Sequence, residues 1–86
     1  MSRAFVFLNC DIGTEEGIVT EVRGISGVSQ ASNVSGIYDI VAELSSESNS
    51  GIAIIVKQLR LISSVRSCLT MMVAERTATK ASEISL

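Results

Sequence analysis

Apolar and polar positions alternate, cluster and alternate again along this chain, with a change of period that predicts four strands and two helices. Ala4 to Cys10 is a short apolar run rich in Phe and Val, read as a strand buried on both faces. Asp11-Ile12-Gly13-Thr14 turns the chain, and Thr14 is expected to cap a helix with its hydroxyl, with Glu15 and Glu16 at the positive helix end. Ile18, Val22 and Ile25, with Val19 beside them, then form one helical stripe, and Gly24 and Gly27 suit a helix exit that needs positive φ. Val28 to Val34 alternates without a strongly apolar face, as an edge strand does.

From Tyr38 to about Ser45 the alternation is clear, with Ile40, Ala42 and Leu44 on one face and Asp39, Val41 and Glu43 on the other. Ser45 to Ser50 is polar and offers caps for a second helix, Gly51 to about Ile62. By composition Ile52 to Val56 is as β-prone as the strands. Ile52, Ile55, Val56, Leu59 and Ile62 nevertheless recur at helical spacing, and periodicity decides for the helix. Val65 to Ala74 is expected to be a last strand, with Val65, Ser67, Leu69, Met71 and Val73 on one face and Arg66, Cys68, Thr70 and Met72 on the other. Residues 1–75 are therefore expected to form the domain, and 76–86 a polar tail that either frays or docks as one short helix.

Ile25-Ser26-Gly27-Val28 returns as Ile62-Ser63-Ser64-Val65, each time where a helix gives way to a strand. The chain reads as strand-helix-strand twice over, the βαββαβ order of an α+β, ferredoxin-like fold. Right-handed crossovers place both helices on one face of a four-stranded antiparallel sheet and leave the other face bare. Phe5 and Phe7 on one side of the first strand, and Val6 and Leu8 on the other, mean that the bare face holds bulky apolar groups.

Composition sharpens that expectation. Of the 86 residues 47% are hydrophobic and 19% charged, while a domain of this size buries only roughly 60 to 65% of its unfolded surface. A sheet-to-sheet homodimer would conceal the excess. Seven Lys or Arg against nine Asp or Glu give a net charge of -2, with no basic run and only two Phe and one Tyr for base stacking, so direct nucleic-acid binding is not expected. No apolar stretch reaches the ~20 residues of a membrane span and no signal peptide is evident, so a cytoplasmic protein is expected. Cys10 and Cys68 suit neither a zinc motif nor a disulfide framework and are read as reduced thiols in or near the core.

The chain has no histidine, no phosphate-binding glycine loop and no evident base beside either cysteine, so neither catalysis nor a cofactor is expected. The best candidate site is Gly36-Ile37-Tyr38-Asp39, where a backbone N–H, a phenol and a carboxylate could meet one small zwitterion such as a free amino acid. Each residue also has a plainer role. Gly36 supplies positive φ to a hairpin turn, Tyr38 suits a strand start or an interface, and Asp39 suits a solvated edge or a turn cap.

The βαββαβ order, the Gly-x-Tyr-Asp turn between the second and third strands, and Val65-Arg66-x-x-Leu69-Thr70 opening the last strand together resemble a known module. It looks like the C-terminal effector domain of the Lrp/AsnC (leucine-responsive and asparagine regulator) family, called RAM, for regulation of amino acid metabolism. The resemblance covers roughly Ala4 to Glu75. Full-length members carry an N-terminal helix-turn-helix domain, so this chain is similar to stand-alone members. The resemblance implies dimers that assemble further, commonly to octamers, with a free amino acid as effector between dimers and a full-length Lrp/AsnC regulator as a co-assembly partner. It carries the ligand-binding role onto Gly36, Tyr38 and Asp39, and onto Cys68 and Thr70 of the last strand. Cys68 departs from the family's usual hydroxyl, and a thiol is the poorer hydrogen-bonding group. Two other readings share the fold and the dimer: an enzyme of the dimeric α+β barrel type, and a structural oligomer without ligand.

Overall fold

The computed structural model describes residues 1–74, and the expectations for 76–86 lie outside them. Its elements are β1 (Ser2–Cys10), α1 (Glu15–Arg23), β2 (Val28–Asn33), β3 (Ile40–Ser46), α2 (Asn49–Arg60) and β4 (Val65–Met72). The strands form one antiparallel sheet in the order β2-β3-β1-β4, the expected ferredoxin-like arrangement.

Period-2 patterning sorts the side chains of the two central strands. Ala4, Val6, Leu8 and Cys10 of β1 and Ile40, Ala42 and Leu44 of β3 are buried beneath the helices, where they meet Ile18, Val19 and Val22 of α1 and Ile52, Ile55 and Leu59 of α2. Phe5, Phe7 and Val41 take the opposite, open face and are half-buried. On β4, Met71 and Leu69 lie opposite Phe5 and Phe7, so the open face carries a continuous apolar strip. Leu69 remains 44% and Met71 54% exposed. At its rim Arg3 and Glu43 form an ion pair at 2.8 Å, and Asn9 bonds Ser67 at 3.1 Å.

Beyond element ends that move by about two residues, as where β3 begins at Ile40 and leaves Tyr38 and Asp39 in the turn and β4 ends at Met72, three details differ from the sequence expectation. Val65 packs against the helix-side core, away from Ser67, Leu69 and Met71, because the β1–β4 register shifts between Asn9 and Cys10 and turns it to the other face. Thr14 sits at the start of α1 but makes no side-chain cap. Its hydroxyl instead donates to the carbonyl of Asp11 at 2.6 Å, three residues back, while Glu15 accepts from the Gly13 N–H at 3.0 Å. Of the two glycines after α1, Gly24 has ordinary helical angles and only Gly27, at φ +98°, takes the positive φ. The second helix is capped as expected by the serine-rich run, with the Ser48 hydroxyl accepting from the Gly51 N–H at 3.2 Å. Among the described residues no helix is long and apolar enough to cross a membrane.

Candidate functional site

Between β2 and β3 the chain turns back through residues 34–39, closed by the Val34 N–H donating to the Asp39 carbonyl at 2.9 Å. Gly36 stands at φ +131°, a conformation L side chains rarely adopt, and a Cβ built on it would meet nothing within 4 Å. The turn requires glycine for its backbone angle, and the surrounding space is open. Tyr38 lays its ring against Phe7, with centroids 5.6 Å apart and planes inclined by 47°, which holds the phenol at the border of the open sheet face.

Asp39 is half-buried, and its bonds run to backbone. Its N–H donates to the Leu8 carbonyl at 2.9 Å, and its carboxylate Oδ2 accepts from the Cys10 N–H at 3.0 Å. The Cys10 thiol lies close by. Burial pushes that thiol upward from its ordinary pKa of 9.0, a hydrogen bond with Thr14 opposes the rise, and the Asp39 and Glu15 charges add to it. Cys10 is buried and Cys68 half-buried, and the two form no disulfide.

The two β4 residues lie elsewhere. Cys68 pairs with Leu8 and Thr70 with Val6, which places both on the helix-covered face. Cys68 packs against the core, and the Thr70 hydroxyl is enclosed with no hydrogen-bond partner among the described residues. One chain therefore brings Gly36, Tyr38 and Asp39 together but sets Cys68 and Thr70 apart from them, on another strand with β1 between. Cys68 does border an open depression of about 260 Å3, along with Arg60, Val65, Arg66 and Ser67.

Sequence reasoning missed what surrounds these residues. β1 ends, and β3 and β4 begin, at one end of the sheet, and α2 finishes there too. At that end Ile12 is 99%, Ile37 85% and Leu61 75% exposed, an apolar set distinct from the open sheet face. The signal was present: Ile12 and Ile37 each adjoin a glycine in a turn, where an apolar residue has no core to enter. Arg66 and Asp11 form an ion pair, and the Asp11 N–H donates to the Ser64 carbonyl at 3.0 Å, tying the turn after β1 to the turn before β4.

Over residues 3–82 the sequence matches the family model described as the Lrp/AsnC ligand binding domain. The chain belongs to that family. The resemblance carried by Gly36, Tyr38 and Asp39 and by the opening of β4 is thus borne out for the domain as a whole. No curated protein sequence matches the chain. Among solved structures, this Lrp/AsnC domain is similar to TTHA0845 from Thermus thermophilus, with a TM-score of 0.84 and 19% identity over 90% of this chain and 98% of that one. It is also similar to FFRP-DM1, at 0.82 and 19% over 86% of this chain and 100% of that one. A third, transcriptional regulator NMB0573 from Neisseria meningitidis in complex with L-Met, gives 0.75 and 14% over 87% of this chain and 51% of that one. At these identities the structures speak to the fold. The family is one of regulatory, ligand-binding domains.

Proposed function

We propose that this chain is an amino-acid-binding regulatory module that works as a homo-oligomer. The observation that carries the reading is the turn at residues 34–39, in which Gly36 stands in open space, Tyr38 packs its ring on Phe7 at the open face, and Asp39 ties the turn to the end of β1. A backbone N–H and a phenol hydroxyl at the rim of an apolar surface suit a free amino acid. L-Met bound to NMB0573 supports that ligand class.

The open sheet face, lined by Phe5, Phe7, Leu69 and Met71, is the surface through which two copies pair. The end of the sheet with Ile12, Ile37 and Leu61 is where dimers meet, toward an octamer. In that assembly the turn bearing Gly36 and Tyr38, anchored to the end of β1 by Asp39, forms one wall of the effector site, and Cys68 of a neighbour, at the edge of its open depression, helps to complete it, whereas the Thr70 hydroxyl is enclosed within its own copy. Binding then alters the assembly, or its co-assembly with a full-length Lrp/AsnC regulator, and the chain performs no catalysis.

Thermal unfolding with each of the twenty amino acids at millimolar concentration tests the reading. An amino acid at a hundred times its Kd stabilises the native state by about 2.7 kcal/mol, which for a domain of this size raises Tm on the order of 10 °C. A shift with one or a few supports the module and names its effector. No shift with any refutes it in favour of a structural oligomer.

A further inference from the structure

β1 outruns the strand beside it. The β1–β3 ladder stops at Leu8 opposite Ile40, whereas β1 continues to Cys10. The backbone N–H of Cys10, a buried residue, has no residue of β3 in the ladder left to receive it on that side. Oδ2 of Asp39 receives it at 3.0 Å, so a side chain substitutes for a strand that has already turned away. The main chain of Asp39 makes the two bonds on either side, to Leu8 and from Val34, each at 2.9 Å. One residue thereby joins the ends of β1 and β2 to the start of β3.

The consequence reaches beyond the strand. The residue after Cys10 is Asp11, whose N–H donates to Ser64 and whose carbonyl accepts from the Thr14 N–H at 3.1 Å and hydroxyl at 2.6 Å. The path of the turn that carries Ile12 is set from this point, and the turn that carries Ile37 is set by Asp39 itself.

We infer that Asp39 is the positioning residue of the effector turn, its carboxylate serving as a hydrogen-bond acceptor that fixes residues 34–39 against the end of β1. This rests on the reading of that turn as the effector site and assigns Asp39 its part in it. A carboxylate that holds a ligand ammonium acts through its charge. One that receives a neutral backbone N–H acts through an acceptor oxygen, which a carboxamide also has. Asparagine therefore preserves the second role and removes the first, and alanine removes both.

The experiment compares the full chain with Asp39→Asn and Asp39→Ala in two measurements. Each of the twenty amino acids is titrated singly by thermal shift, and hydrogen exchange is followed at the Cys10 amide relative to the Val6 amide. Asp39→Asn is expected to stay within about threefold of the native affinity with the Cys10 amide still slow. Asp39→Ala is expected to lose at least about tenfold in affinity and to release the Cys10 amide while Val6 stays protected. Loss of affinity in Asp39→Asn equal to that in Asp39→Ala, with Cys10 still protected, would overturn the inference in favour of charge. A Cys10 amide that stays slow in Asp39→Ala would overturn it outright. If the native chain binds none of the twenty, the effector reading fails and the Cys10 amide alone decides: release in Asp39→Ala with retention in Asp39→Asn upholds the positioning role, and no change removes it.

Discussion

Leu69→Lys places a charge on the open sheet face, on the edge strand β4, without touching the core of the monomer. Leu69 lies opposite Phe7 and points away from both helices, so the variant should still fold, with the monomer losing up to roughly 1.5 kcal/mol for the part of Leu69 already covered in the single chain. Fully burying a leucine contributes roughly 1.5 to 3 kcal/mol. Because 44% of Leu69 is still open in the single chain, pairing stands to gain roughly 0.7 to 1.3 kcal/mol from it. A two-fold interface contains the residue twice, and the substituted ammonium must in addition be kept solvated or desolvated at a cost. The dimer should weaken by about 2 to 4 kcal/mol, a rise in Kd of roughly 30- to 1000-fold. Sedimentation equilibrium over a range of micromolar concentrations reads this directly, with the circular dichroism spectrum as a check of fold. Leu61→Lys, on the far end of α2, serves as the matched control and should leave dimers intact while preventing their further assembly. A Leu69→Lys protein that dimerises as tightly as the native chain would refute the assignment of the open face.

Other consequences follow from single contacts. Gly27→Ala combines a φ of +98° with a Cβ that would collide with Ile55 Cδ1, and should cost about 2 to 5 kcal/mol in chemical denaturation. Ser48→Ala removes the acceptor for the Gly51 N–H at the head of α2 and should cost about 1 kcal/mol in the same assay. The Cys10 thiol has a folded pKa above its unfolded value, so the folded state holds that proton more firmly. Its contribution to stability is complete below the unfolded pKa and is lost as pH rises through the folded one. Urea midpoints measured from pH 7 to 10 should therefore fall less in Cys10→Ala than in the native chain, and a thiol reagent at pH 8 should modify Cys68 well before Cys10.

Much of the fold was legible because each element's pattern matched its period. Ile40, Ala42 and Leu44 alternate and are buried, and Ile52, Ile55 and Leu59 recur at helical spacing and are buried despite their β-prone composition. Val65 escaped because a register shift breaks the alternation on which its face was assigned, and nothing local in the sequence marks such a shift. Thr14 escaped because a hydroxyl before a helix has two partners within reach, and here the Asp11 carbonyl behind it wins over the amides ahead. The Gly36-x-Tyr38-Asp39 turn was readable from residue types alone. The bond from Cys10 to Asp39 joins residues 29 apart in sequence and depends on β1 running on past the first residue of β3, which is a fact of register. The apolar end formed by Ile12, Ile37 and Leu61 is likewise a product of topology, since the three residues come from separate turns.

Amino-acid binding at a site shared between neighbouring copies is tested most directly by calorimetric titration of the native oligomer and of Leu61→Lys dimers with the amino acid that most raises the native Tm. Stoichiometric binding to the native assembly is predicted, with a loss of at least about tenfold in affinity for the isolated dimers, the loss that the proposed completion of the site by a neighbour requires. Equal affinity for both, or no heat of binding to the native assembly, would contradict it.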